Sequence, residues 1–415
     1  MNSCPKFLAA IAGTFLSLVT IDVNLVQAAN FTFTSIVNNR DNKDFFGIGG
    51  GPINDNGTVA FVASTSSGQG IFTSNGSGAF TTALKPYPYP TDSYVINGLA
   101  INNSNTVAFG NLTSFPPEGL YISKGGNAIR VVTPRDGLFD TIVSSGTFND
   151  SGTLVFRLSK NFDNGATIVT GNGEPLTTVV DTSGQFRFFD QPPAINDANV
   201  VAFQATLKDG RQGVFTIKDG TITMIADNTS LFSGGFVVVS INNTGTAIFD
   251  AFREDGKEGI FTGNGKTITT IADTSSSFSG FLNNSINDNN QVAFGATLRD
   301  GAENVLSDGI FTGPDPIADK VIGIGDSLLG GTVTNLFFSG GINNSGQIPF
   351  FAELRDDSGK TITGVFRADP VSKSIPESTS TLGLLAFGAL GTGLALKGKL
   401  KQKSTVRING LTYTI

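Results

Sequence analysis

Three observations predict an all-β fold. One unit recurs seven times, each copy alternates apolar and polar residues with period two, and the last copy lacks a strand that the N-terminal segment can supply. The fold class is therefore a seven-bladed β-propeller of four-stranded blades closed by the N-terminal strand, with a β-solenoid as the alternative and a C-terminal transmembrane helix beyond it. The copies read "INDNGTVAF" (53–61), "INNSNTVAF" (101–109), "FNDSGTLVF" (148–156), "INDANVVAF" (195–203), "INNTGTAIF" (241–249), "INDNNQVAF" (286–294) and "INNSGQIPF" (342–350). Their first Asn residues stand at 54, 102, 149, 196, 242, 287 and 343. Five of the intervals run from 45 to 48 residues, and the last is 56, stretched by an insertion near 302–335.

Within a unit, the first strand leads into Ile-Asn and a hairpin. The "TVAF" strand follows, and a second hairpin rich in Lys-Asp-Gly or Arg-Asp-Gly (208–210, 299–301) leads to a third strand. That strand carries Gly-aliphatic-aromatic, as in Gly70-Ile71-Phe72, Gly213-Val214-Phe215 and Gly259-Ile260-Phe261; the third unit has only a degenerate form near Ile168-Val169-Thr170. A last hairpin leads to an alternating run such as "ITTIADT" (268–274). β-Branched runs bounded by Gly, Asn and Asp are strand signals. Four-stranded units of this length match propeller blades, which must stack to cover their apolar faces.

The ends of the array favour a closed ring. The seventh unit stops at "GVFRADP" (364–370), and "FTSIVNN" (33–39) fits its missing fourth strand. This alignment places Phe45 and Phe46 where Phe278 and Phe281 fall in a complete unit. An open solenoid would need capping repeats and has no reason to split a unit between its two ends.

Composition excludes several chemistries. The chain has 415 residues with no His and a single Cys, Cys4. Triads built on His, conventional zinc sites and disulfides are thereby removed. The formal charge is −7, and the last forty residues are basic, so the body is more acidic still. That balance argues against a nucleic-acid partner, which needs clustered Lys and Arg.

Both termini read as addresses. Residues 1–28 combine Lys6, an apolar stretch from Phe7 to Ile21 and the small-residue sequence Val26-Gln27-Ala28, the pattern of a signal peptide cleaved at Ala28 or Ala29. Repeats occupy 29–370. Residues 371–403 carry a linker, Pro376-Glu377, an apolar run over 379–396 and four lysines (Lys397, Lys399, Lys401, Lys403), and a polar extension follows at 404–415. The apolar run proper is Leu382 to Leu396; counted from Thr379 it gives eighteen residues and about 27 Å of helix, a marginal span of a bilayer core, and the lysines would hold the far end in the cytoplasm.

This tail resembles the PEP-CTERM sorting signal of Gram-negative and cyanobacterial exported proteins: a Pro-Glu-Pro motif, an apolar helix and a basic end. Pro376 and Glu377 match the motif, and Ser378 stands where the family has its second Pro. The resemblance implies an exosortase-type processing enzyme as partner, inner-membrane anchoring before processing, and a cell-surface or extracellular destination. The repeated Asn-x-x-Gly...Phe signature is similar to that of a tandem-repeat family of exported bacterial proteins, which carries no activity over to this chain.

Candidates for chemistry are few. Asn54-Asp55-Asn56-Gly57 has the oxygen-rich look of a calcium loop, but Asp55 is replaced by Asn103, Asn243 and Asn344 in other copies, while the preceding Asn persists in all seven. That pattern predicts a turn, because Asn tolerates left-handed backbone and bonds its own turn. The repeated Phe (61, 109, 156, 203, 249, 294, 350) predicts core, and the pairs Asp356-Asp357 and Glu254-Asp255 predict solvated hairpins. No catalytic, cofactor or metal residue is assigned. The loop "KPYPYPTDSY" (85–94) breaks the repeat, and its Tyr87, Tyr89 and Tyr94 form a candidate ligand loop with faces for sugars. The expected function is a non-enzymatic binding or structural protein of the cell envelope or extracellular polysaccharide, with polysaccharide or other surface proteins as partners. The alternative is a polysaccharide hydrolase or lyase using carboxylates at the propeller mouth.

Overall fold

The computed structural model describes residues 30–87, 96–111, 119–132, 141–159, 166–173, 175–275, 277–299, 305–338, 340–371, 405–408 and 411–414. The cleavage site at Ala28 and Ala29, the motif Pro376-Glu377-Ser378, the segment 379–396, and Tyr89 and Tyr94 lie outside these residues. Among the described residues, no helix is long and apolar enough to cross a membrane.

The described residues from 30 to 371 form one compact unit of seven antiparallel sheets, each made in chain order from one repeat. Blade 5 shows the plan: Phe232–Ile241, Ala247–Arg253, Glu258–Gly263 and Ile268–Asp273 pair in sequence. The seventh blade is completed by the N-terminal strand Phe31–Asn38, which pairs antiparallel with Thr361–Pro370 in a register running from Phe31 opposite Pro370 to Asn38 opposite Gly364. Ile36 and Val37 are thereby buried at the interface with blade 1. The propeller closes as expected, and by the expected strand.

Apolar residues gather between blades. Each of seven clusters takes its members from two neighbouring blades, as in the joining of Ile248, Ile260 and Ala272 of blade 5 to Phe278, Phe294 and Phe311 of blade 6. The repeated Phe of the second strand stacks on the aromatic of the third. Ring centroids lie 5.8 Å apart for Phe61–Phe72, Phe203–Phe215 and Phe249–Phe261. In blade 3 the degenerate motif puts Val169 opposite Phe156 instead. Glycine precedes the third-strand aromatic because the ring folds back over it: a Cβ on Gly259 would stand 2.8 Å from Phe261 Cζ.

The structure corrects three details. Phe45 packs against Phe61, Phe72 and Phe80 as expected, but Phe46 is half exposed and Ile48 takes the second core position. The bulge between Phe46 and Gly49 shifts the strand and turns Phe46 outward. Tyr87 belongs to the fourth strand of blade 1, Thr81–Tyr87, opposite Gln69, so it is not wholly within a loop. The extra residues near 302–335 lengthen the hairpin before Lys320–Gly323 and add a short strand, Ser327–Leu328, at the inner edge of blade 7.

The second unit, Ser372–Ile415, contains one described element, a hairpin of Thr405–Ile408 with Leu411–Thr414. Thr405 pairs with Thr414 at one end of this ladder and Ile408 with Leu411 at the other. The extension is thus a hairpin in a segment that composition describes only as polar.

Candidate functional site at the propeller axis

The seven Asn hairpins, six entered from Ile and one from Phe148, converge on the axis at one end of the ring. In the first, the Asn54 N–H donates to Thr58 O and the Gly57 N–H to Asn54 O, both at 3.0 Å. The Asn54 Oδ1 accepts from the Asn56 and Thr58 amides. The fourth position must take left-handed backbone, with φ of +73° at Gly57, +58° at Asn105, +57° at Asn199 and Asn290, and +74° at Gly346. Only Gly and Asn occupy it in all seven copies, as the steric cost of that region requires. The turn reading holds.

Between blades the same Asn makes the ring. Its Nδ2 reaches the main-chain carbonyl of the next blade: Asn54 to Asn102 at 2.9 Å, Asn149 to Asn196 at 3.2 Å, Asn196 to Asn242 at 2.9 Å, Asn242 to Asn287 at 3.0 Å and Asn287 to Asn343 at 2.8 Å. Asn343 closes the circle onto Asn54 O at 3.0 Å. The longest link, Asn102 to Asp150 O, is 3.5 Å. All seven Asn side chains are buried.

The next residue forms a second, solvent-facing crown. Each of its backbone N–H groups donates to the Oδ1 of the next blade's residue, from Asp55 to Asn103 and on around to Asn344, whose N–H returns to Asp55. The Asn side chains bridge the carboxylates. Asp55 Oδ2 accepts from Asn103 and Asn344, and Asp288 Oδ2 from Asn243 and Asn344. Alternating Asp with Asn places an amide between successive negative charges. Seven is odd, so the alternation breaks once, at Asp150 beside Asp197, and each of these Oδ2 atoms accepts from a single crown amide. The exchange of Asp55 for Asn across copies, which looks like free variation along the chain, is this alternation.

Replacing Asp55 by Asn is expected to destabilise the ring by about 1–2 kcal/mol, because two amides lose a charged acceptor. Replacing Asp197 by Asn should leave the melting temperature unchanged or raise it, since it supplies the missing bridge to Asp150 and removes one of two adjacent charges. Equal losses in thermal melts of the two variants would reject this account of the crown.

Behind the crown, the residue before each Asn forms a girdle of Ile53, Ile101, Phe148, Ile195, Ile241, Ile286 and Ile342. Beyond the girdle lies an axial cavity of about 370 Å³. A larger hollow, about 560 Å³, is a cleft between blades 3 and 4 lined by threonines and Asp219. The axial cavity is the stronger candidate, because all seven blades converge on it and the repeat breaks there.

Another break, among residues outside that lining, is visible in sequence once the copies are aligned on their strands. The residue after the core Phe is Val62, Gly110, Arg157, Gln204, Asp250, Gly295 and Phe351 in turn, so three consecutive blades turn polar where the others are apolar or Gly. Arg157 donates to Phe189 O and lies near Asp190, and burial lowers its pKa. Gln204 Oε1 accepts from the Asp190 N–H. Asp250 pairs with Ile260 while Phe252 pairs with Glu258, so the two acids share the face turned to blade 6. There Asn284 Nδ2 donates to Asp250 Oδ1 at 2.6 Å, and Asn284 Oδ1 is buried without a hydrogen-bond partner. Burial, then the Glu258 carboxylate, push the Asp250 carboxyl up to about 7, against the opposing pull of the Asn284 amide. Burial raises Glu258 as well.

Of the other residues singled out by sequence, Asp356 closes its own hairpin, accepting from Ser358 and Lys360, and Asp255 lies in the exposed hairpin between Arg253 and Lys257.

A family model described as a family of unknown function (DUF7453) matches residues 100–373. The chain belongs to this family. The DUF7453 match takes in blades 2 to 7 and with them Arg157, Gln204 and Asp250. No curated protein matches the chain. Solved structures similar to it include one of two prolyl endopeptidases, at 12% identity and a TM-score of 0.49, covering 78% of this chain and 50% of that one. The chain thus spans about half the length of that endopeptidase. A mutant of the Aleuria aurantia lectin in complex with Fucalpha1-6GlcNAc is similar at 7% identity and a TM-score of 0.38, with 69% and 95% covered. The polysaccharide lyase Uly1 is similar at 8% identity and a TM-score of 0.42, with 77% and 90% covered. At these identities the likeness concerns the course of the chain.

Proposed function

We propose that the chain is an exported, surface-anchored or matrix-released propeller that acts as a non-enzymatic binding or structural protein of the cell envelope or extracellular polysaccharide. The observation that carries this reading is the crown. All seven of its side chains are engaged with their neighbours in closing the ring, so the carboxylates at this mouth serve architecture. The signal-like N-terminus and the PEP-CTERM-like tail support export, transient anchoring and an exosortase-type processing partner. A second reading, a polysaccharide hydrolase or lyase, is favoured by one observation: a carboxyl that holds its proton near neutrality, Asp250, beside a second acid.

The test incubates the purified protein with the exopolysaccharide of its source organism. Co-pelleting with unchanged polymer length is the expected result. Shortened polymer would overturn the non-enzymatic reading in favour of the second, and failure to co-pellet would overturn polysaccharide binding.

A further inference from the structure

We propose that the axial cavity between the isoleucine girdle and the opposite mouth binds a single neutral, polyhydroxylated ring, such as one sugar residue of a glycan. This rests on the function proposed above and names its site. Four observations converge on it. The volume, about 370 Å³, lies within the range of small-ligand sites. No charged side chain stands among the described residues that line it, which disfavours phosphates, uronates and amines. The lining joins apolar surfaces, Leu99 and the Pro192-Pro193 pair, to hydroxyl and amide groups at Ser240, Asn283 and Ser285. A sugar ring offers the same pairing, with C–H faces on one side and hydroxyls around its edge.

The fourth observation is that a ring of identical blades would not form this hollow.

The cavity is built by departures from the repeat. The first strand of blade 4 is interrupted between Phe186–Phe188 and Ala194–Ile195, and Pro192 and Pro193 in the gap have no N–H to offer a ladder. Across the axis, Gly340 and Gly341 present backbone without side chains. Packing of identical blades requires none of these features.

The experiment is saturation-transfer NMR on the full-length chain, kept in a detergent without a sugar headgroup, with methyl α-D-glucopyranoside and methyl α-D-galactopyranoside as probes and glucuronate as the charged control. Transfer to at least one neutral hexoside is expected, with at least tenfold less to glucuronate. Ser240→Leu and Ser285→Leu, which narrow the cavity from different blades, should each abolish the transfer while the protein still melts as a folded chain. Should one variant fail to fold, the other and the neutral-over-charged selectivity decide. No transfer from the unaltered protein, or transfer undiminished in a folded variant, overturns the site. A protein that co-pellets with polysaccharide but shows no hexoside transfer keeps the proposed function and loses this cavity as its site.

Discussion

Deleting residues 30–39 is expected to cost more than about 5 kcal/mol and to make the chain associate with further copies of itself. The strand Phe31–Asn38 satisfies the outer edge of Thr361–Pro370 and buries Ile36 and Val37 against blade 1. Large-to-small changes at such core positions cost about 2–5 kcal/mol each for Ile, and somewhat less for Val. Without the strand, blade 7 also presents an open row of N–H and C=O groups, a template for pairing with another chain. Thermal melts and size-exclusion chromatography read both effects, and a synthetic peptide of residues 30–39 should restore much of the melting temperature when added in trans. A truncated chain that melts within a few degrees of the intact one, as a monomer, would show that the ring does not depend on this closure.

The second large effect concerns Asp250. Its folded carboxyl titrates near 7, against a reference value of 3.8. The folded chain therefore holds a proton that the unfolded chain has released between about pH 4 and 7. Stability falls as pH rises through that window and levels off above it. Asp250→Asn keeps the shape, removes the proton and flattens this part of the profile. At pH 8 the variant should be more stable than the natural protein, by on the order of 2–4 kcal/mol, while near pH 4 the two should nearly coincide. The Asn284 amide can pair with either residue, since its two ends exchange by rotation of the side chain. Melting curves at pH 4.5, 6 and 8 check the prediction. A natural protein whose melting temperature does not change relative to the variant over that range would mean that Asp250 is ionised throughout.

The architecture was legible because each blade repeats the same local rules. Asn54 and Gly57 announce a turn by their backbone preferences, Phe61 announces a core position by its period, and the missing strand at Pro370 announces closure by its absence. What stayed hidden depends on neighbours far apart in sequence. Asp55 and Asn103 are 48 residues apart, and their exchange makes sense only when the ring brings them within 3.0 Å. Asp250 was equally hidden, because its chemistry comes from Asn284 and Glu258, which lie on other strands. Aligning the copies on the residue after the core Phe would have marked it, since that column turns from apolar or Gly to polar in three consecutive blades. Phe46 failed for a different reason: a β-bulge changes which residue faces inward, and no spacing rule registers it.

The Val371 N–H donates to Asn30 O and so joins the last described residue of the propeller to its first. As the chain emerges from synthesis, six blades can stack in order while the leading strand waits without a partner, because its pairing surface is made last. A chain cut short in the seventh repeat would leave that leading strand without its partner and the ring open. Once the final strand arrives, the stacked blades already hold the two ends side by side, so the closing step asks little further loop entropy of the chain.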